Sequence, residues 1–595
     1  MPAFTHSASE VRALVSKTLS EIIRHGGTGL RSSVPQLMSN LLEAATELEP
    51  QVLNYAQFHV ASAEELENAR VSAASMSSSS LIDSLERLAG QVDETIAEQV
   101  VSSLVRLARI GVGIPTRAAT ARLFSTILQS RAVVMEPYAG KLMFAAAGSA
   151  GMERISMLRK AWSNAAGKAA KLAKVDDVGR YVRQIMNKAK SEEPRDRALA
   201  SSLAAGLWKM TPDTAHQHAS AILPLAYMGR RETDDNAGDA SKNWNEVWDE
   251  GSPSTQVGLR LYAKEIVGIC EERLSTSAQY RVKRSAAATL GDLAKASNDR
   301  VDVQYLSRSA KALLLVLPGH IWDGQIVVVE AIGSLAESCS RPNLWDCCGG
   351  GENVVKSLLV ESHRGKKDYR IAAIQAASKV LNNSRNNVRM YKDVRRELSE
   401  FLESSDVEGA EAMSNISRMV WETGSDADAV DARNKARKAQ KQLCKAAIQC
   451  LETSLSSAEH SDEQLLHVQD LLGIFEKVIQ GDWDVRLSTL EALKRVTDRI
   501  ASGDICKTAP AGAKGTMYER IVNLSRDGIH EPKYAALKKT GLSILEALTA
   551  SADDFNFKHI IVGDTMKHIV VCREDDADPG VRSVAKQLCA NLKHN

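Results

Sequence analysis

Apolar residues return at helical spacing almost from the start of the chain. Val11, Leu14, Val15, Leu19, Ile22 and Ile23 lie on one stripe of a predicted helix over 10–23. Gly26, Gly27 and Gly29 supply the stop, and Pro35 opens a second helix running to Leu48. Those glycines follow no strand and lack the G-x-x-x-x-G-K-[ST] order, so they do not read as a phosphate loop. Residues 51–74 continue the helical pattern. The run from Ser75 through Met76 to the serines at 77–80 is a linker candidate, with phosphorylation there as the alternative.

Beyond Leu81 the pattern repeats. Several predicted helices begin with a basic residue in the first turn, then a small residue, then an apolar stripe. The clearest copy is the last, where Asp578 suits a cap, Pro579 suits the first turn, and Val581, Val584, Ala585 and Leu588 share a face. Asp482, Val485 and Arg486 repeat that spacing. Further copies start at Thr116-Arg117, Leu158-Arg159, Asp196-Arg197, Val282-Lys283, Tyr369-Arg370 and Tyr534. Neighbouring copies lie roughly 40 to 48 residues apart, the period of two-helix HEAT or armadillo units. Such hairpins hide only one side of each stripe, so stacking must hide the rest. The expected fold is therefore all-α, a HEAT/armadillo-like α-solenoid superhelix. Its Asp and Arg pairs are expected to link consecutive repeats in a polar ladder.

Two segments interrupt the expected order 1–228, 229–257, 258–402, 403–432 and 433–595. The first, 229–257, reads as an insertion loop within the gap of about two periods between Arg197 and Lys283. It holds Glu232, Asp234, Asp235 and Asp239, then Trp244 and Trp248 at helical spacing. The tryptophans either fold back to seal the insertion or form a docking knob for a protein partner. The second, 403–432, is rich in Ser, Glu, Asp and Gly. A basic helix follows it, with Arg433, Arg437, Lys441 and Lys445 recurring every four residues. That spacing suits a solvated face, an acidic protein partner or a nuclear-import signal.

Composition narrows the class. Apolar residues make up 44% of the 595, enough for a core, while aromatics at 5% and 14 prolines favour helix over strand. Lys plus Arg (75) nearly cancels Asp plus Glu (74), so no nucleic-acid partner is expected. The opening residues carry no apolar signal region, and no apolar run matches a membrane span, so direct membrane insertion is not expected. Nine scattered cysteines without a C-x-x-C pair suit reduced thiols. Cytoplasm and nucleus are the expected compartments.

Catalytic patterns do not occur: there is no G-x-S-x-G, H-E-x-x-H, kinase motif set or dinucleotide fingerprint. Ala511 to Thr516 is glycine-rich, but its lysine precedes the glycine, which predicts a turn. His216 and His218 lack matching metal ligands, and Cys347 to Gly351 reads as a flexible inter-helix turn. No catalytic, cofactor-binding or metal residues are assigned, and no cofactor or enzyme activity is expected.

Three stretches carry a family resemblance: Leu48-Glu49-Pro50-Gln51-Val52-Leu53-Asn54-Tyr55, Pro137-Tyr138-Ala139-Gly140-Lys141-Leu142-Met143, and Ile222 to Ala226 through Trp244 and Trp248 to Tyr262. Together they resemble the large HEAT-repeat proteasome adaptor and scaffold proteins, whose yeast founder is called extracellular mutant twenty-nine. Members are about three times longer, which makes this chain similar to their C-terminal third. The resemblance implies a non-enzymatic partner of 26S proteasome core and regulatory particle subunits. It also implies quality control of assemblies and vesicle- or ER-associated partners. A nuclear transport receptor or a scaffold subunit of another multiprotein complex is the competing class; transport receptors tend to be acidic, and this chain is balanced.

Overall fold

The structure is a computed structural model. It describes residues 9–45, 79–111, 113–234, 238–297, 300–384, 388–403, 426–551, 572 and 576–594. Two compact units divide the chain, Met1–Ala296 and Ser297–Asn595. No strand occurs among the described residues.

In the first unit the helices are α1 (Ser9–His25), α2 (Val34–Ala44), α3 (Ser79–Gly90), α4 (Ala97–Ile110), α5 (Ile114–Ser130), α6 (Ala139–Met152) and α7 (Ser156–Ala170). They continue with α8 (Val175–Ala189), α9 (Pro194–Met210), α10 (Ala219–Gly229), α11 (Ala240–Gly251), α12 (Thr255–Thr276) and α13 (Tyr280–Ser297). Two parallel rows form. One runs α2, α4, α6, α8, α10, α12 and the other α1, α3, α5, α7, α9, α11, with hairpin partners α4–α5, α6–α7, α8–α9 and α10–α11 packed across. First-row helices bury one stripe, as α8 does with Val178, Tyr181, Val182, Ile185 and Ala189. Second-row helices have neighbours on three sides, and α9 buries ten residues around most of its girth.

Small residues make that crowding possible. α7 and α9 meet at Gly167 and Gly206, where a β-carbon on either would collide with the other helix's backbone. The Thr211 hydroxyl adds a 2.6 Å bond to the Gly167 carbonyl.

The second unit holds α14 (Val303–Leu314), α15 (Ile326–Ser338), α16 (Gly351–Ser362), α17 (Lys367–Asn383), α18 (Tyr391–Glu403), α19 (Asp426–Ser454) and α20 (Ser461–Val478). After them come α21 (Trp483–Ala501), α22 (Ala511–Ile529), α23 (Ala535–Ser551) and α24 (Pro579–His594). Its second row runs α15, α17, α19, α21, α23, α24, with α16, α18, α20 and α22 as hairpin partners to the four helices from α17 to α23.

All eight basic starts found in the sequence sit at or next to the beginning of a second-row helix or of α13. The ladder exists, but its rungs differ from the expected Asp–Arg pairing. In three of the eight, the first-turn cation reaches an acid at the end of the following hairpin's first helix: Arg117–Glu153 at 2.7 Å, Arg197–Glu232 at 2.6 Å and Arg486–Glu531 at 2.6 Å. Lys538 pairs with Asp576, just ahead of α24, at 2.5 Å. Asp578 caps α24, accepting from the Gly580 and Val581 amides at 2.8 and 3.0 Å.

Several local expectations change. Ala511 to Thr516 is the opening of α22 and no turn, because Pro510 presents its carbonyl to the Lys514 amide and starts the helix. Ser79 and Ser80 belong to α3, while 46–78, including most of the linker candidate, lie outside the described residues. α19 begins at Asp426, inside the segment expected to be irregular, and 404–425 are outside the described residues. Cys347 and Cys348 end a 3-10 turn (Pro342–Cys348), and the chain reverses through Gly349 and Gly350 at φ of 78° and 97°.

Candidate interaction site around the Trp244 and Trp248 helix

The segment expected to be an insertion is a repeat in phase with the rest. α11 packs on its hairpin partner α10 and on α9, the position any second-row helix takes. Lys242 stands at its start, 45 residues after Arg197 and 41 before Lys283. That spacing was the available signal. The polar run before it and the unusual aromatic content obscured it.

Both tryptophans are inside the stack, Trp244 at 3% and Trp248 at 0% exposure. Neither ring offers a surface to a partner; their placement is that of a seal. Trp248 lies against Tyr227 of α10 with ring centroids 4.8 Å apart. Three glycines make room for these rings and for Trp208. A β-carbon at Gly229 would strike the Trp244 indole, one at Gly251 would meet Trp208 and Leu223, and one at Gly258 would meet Trp248. Asn243 reaches α9, donating to Ser201 at 3.1 Å and Ser202 at 3.3 Å.

Of the acidic run, Glu232, Asp234 and Asp239 are anchored, while Asp235 lies outside the described residues. Arg197 is almost fully enclosed and holds Glu232 at 2.6 Å and Asp234 at 3.6 Å. Glu232 also accepts from the Thr233 and Asp234 amides, and Arg281 of α13 closes on Asp234 at 2.9 Å. Asp239 accepts from the Ser156 hydroxyl of α7 at 2.7 Å. A cavity beside Trp244, lined by Arg197, Arg273 and Ser285, measures about 20 Å³, too small for a ligand beyond a water molecule.

From Arg437 onward the basic helix finds acidic partners within the chain, while the Arg433 side chain lies outside those described. Arg437 and Lys441 meet Asp482 at 3.2 and 2.5 Å, and Lys445 meets Asp484 at 2.9 Å. The Lys441 hydrogen bond holds the Asp482 carboxyl below its ordinary range.

No group of three metal-capable side chains occurs among the described residues. His216 stands edge-on to Trp208 at 5.5 Å. Burial pushes the Cys348 thiol up to about 12 and those of Cys444 and Cys506 up to about 11, away from the range of reactive thiolates. No described helix is long and apolar enough to cross a membrane.

Two rows of hairpins with cross-repeat ion pairs define the class: an α-solenoid of HEAT and armadillo-like repeats. The model for the HEAT-repeat domain of the proteasome adapter and scaffold protein ECM29 matches residues 30–189, and the model for the ECM29 C-terminal ARM-like repeats matches 350–587. The chain belongs to the ECM29 family. The Trp helix lies between the two matched ranges.

The human proteasome adapter and scaffold protein ECM29 is 28% identical over 387 residues, which is 63% of this chain and 20% of the human protein. The Schizosaccharomyces pombe proteasome component ecm29 is 26% identical over 330 residues, 54% of this chain and 19% of that protein. The matched stretch thus spans about a fifth of each relative. The karyopherin Kap121p bound to the SUMO protease Ulp1p aligns at a TM-score of 0.32 and 12% identity, over 99% of this chain and 66% of that one. The transport-receptor alternative gains nothing from so loose a likeness.

Proposed function

We propose that this chain is a non-enzymatic scaffold segment that binds the 26S proteasome and steadies or monitors the association of core and regulatory particles. The observation that carries this reading is the pair of ECM29 family matches on either side of the Trp helix. Relatives named proteasome adapter and scaffold or proteasome component support it. Stacked repeats suit the task physically, because they present extended surface on a frame stabilised by nearest neighbours. Work in cytoplasm and nucleus, with vesicle- or ER-associated proteins as further partners, belongs to the same proposal.

The test is affinity purification of the tagged chain at low salt with nucleotide retained. The expected result is recovery of both core and regulatory particle subunits. Recovery of importin cargo or a phosphatase catalytic subunit, with no proteasome subunit, overturns the reading.

A further inference from the structure

We propose that the cleft beside the α10–α11 turn binds a phosphate monoester dianion presented on a protein side chain. The cleft measures about 310 Å³ and is lined by Tyr227, Arg230, Arg231, Thr255, Asp292 and Lys295, with Ala296 at its edge. Three cations face one carboxylate there. Asp292 is occupied by Arg231, leaving Arg230 and Lys295 without an ion pair among the described residues.

The cations are held ready. Asn245 of α11 accepts from Arg230 Nε at 2.7 Å, and the guanidinium rests over the Tyr227 ring at 5.3 Å. Among the described residues the terminal nitrogens of Arg230 make no hydrogen bond or ion pair, and Lys295 forms no ion pair. Backbone carbonyls that would repel an anion are tied off. Ser241 donates to the Arg230 carbonyl at 2.8 Å, and Ser285 donates to that of Arg231 at 2.6 Å. Thr255 adds a hydroxyl at the first residue of α12, where the helix dipole is positive.

Tyr227 adds a hydroxyl donor to the lining. The residue is mostly enclosed, at 5% exposure, and its hydroxyl, which bonds no protein group among the described residues, stays open to solvent at the cleft. Burial holds its pKa far above the ordinary tyrosine value, so it stays a donor.

Donors from α10, α12 and α13 converge on a group with several acceptor oxygens. A phosphate offers three, where a carboxylate offers two. A nucleotide does not fit the lining, since the Tyr227 ring is already taken by Trp248 and Arg230 and no free aromatic surface remains for a base. Exposed Arg231, Thr255 and Lys295 leave the mouth open to a tethered group.

Calorimetric titration of the 595-residue chain with a short glycine-flanked phosphoserine peptide tests this. Controls are the serine and glutamate versions of the peptide and inorganic phosphate. One saturable site is expected for the phosphopeptide, with the glutamate peptide and free phosphate each about tenfold weaker. Lys295→Gln, on an exposed side chain, is expected to weaken binding about tenfold without moving the melting curve. Tyr227→Phe is expected to weaken it several-fold while keeping the ring contacts. Absence of saturable binding, or affinity unchanged in both variants, overturns the proposal. Free phosphate binding as tightly as the peptide overturns the tethered source.

Discussion

Arg197 shows what single residues do in this fold. Its guanidinium is enclosed beside Glu232 and Asp234, both nearly buried, with Arg281 also on Asp234 and two backbone amides on Glu232. Removing one side of a buried pair leaves the other charge desolvated and uncompensated. Arg197→Met is expected to lower stability by about 3–5 kcal/mol, read from the urea midpoint of the first unit. Gly167→Ala acts sterically, since its new carbon meets the Gly206 carbonyl. It is expected to cost about 1–3 kcal/mol and lower the thermal midpoint, whereas Gly148→Ala, facing open space, should not. The arginines were legible in the sequence because they recur at one place in each helix. Their acidic partners were not, because Glu153, Glu232 and Glu531 stand 35 to 45 residues away from them, each in a turn without a common motif.

α11 is the element where reading and structure part most. Helix was legible at 244–248 from spacing, and Lys242 sat in register, yet the acidic run made the segment resemble an inserted loop. What could not be read was that Gly229, Gly251 and Gly258 are spacers for tryptophan rings rather than breakers. Trp248→Ala is expected to destabilise the first unit by about 3–5 kcal/mol, visible as a lower urea midpoint and exposed tryptophan fluorescence. An unchanged midpoint with lost partner binding would restore the docking role.

A second prediction concerns α19 and α21. The folded-state pKa of Asp482 is lowered, so its pairing with Lys441 and Arg437 stabilises at pH above the unfolded carboxylate value. That contribution fades as pH falls below about 3.9 and through the lower folded value. Asp482→Asn is expected to lower the second unit's urea midpoint at pH 6, with the difference from the parent shrinking as pH falls below the unfolded carboxylate value. A difference that stays constant as the pH is lowered would deny the pairing any role.

At the scale of the whole chain, periodicity carried the fold class, because hairpin stripes recur at a fixed interval and cannot be satisfied alone. Function was not legible from periodicity, since solenoids serve many partners. It came from the family resemblance and the two matched ranges, which share one family while the relatives are roughly five times as long as the matched stretch. The central claim is that this array of repeats grips the proteasome. Cross-linking mass spectrometry of the purified chain added to intact 26S particles tests it most directly. Lysine cross-links from both units of the chain to core or regulatory particle subunits are predicted; a saturating mixture that yields cross-links only within the chain would contradict the account.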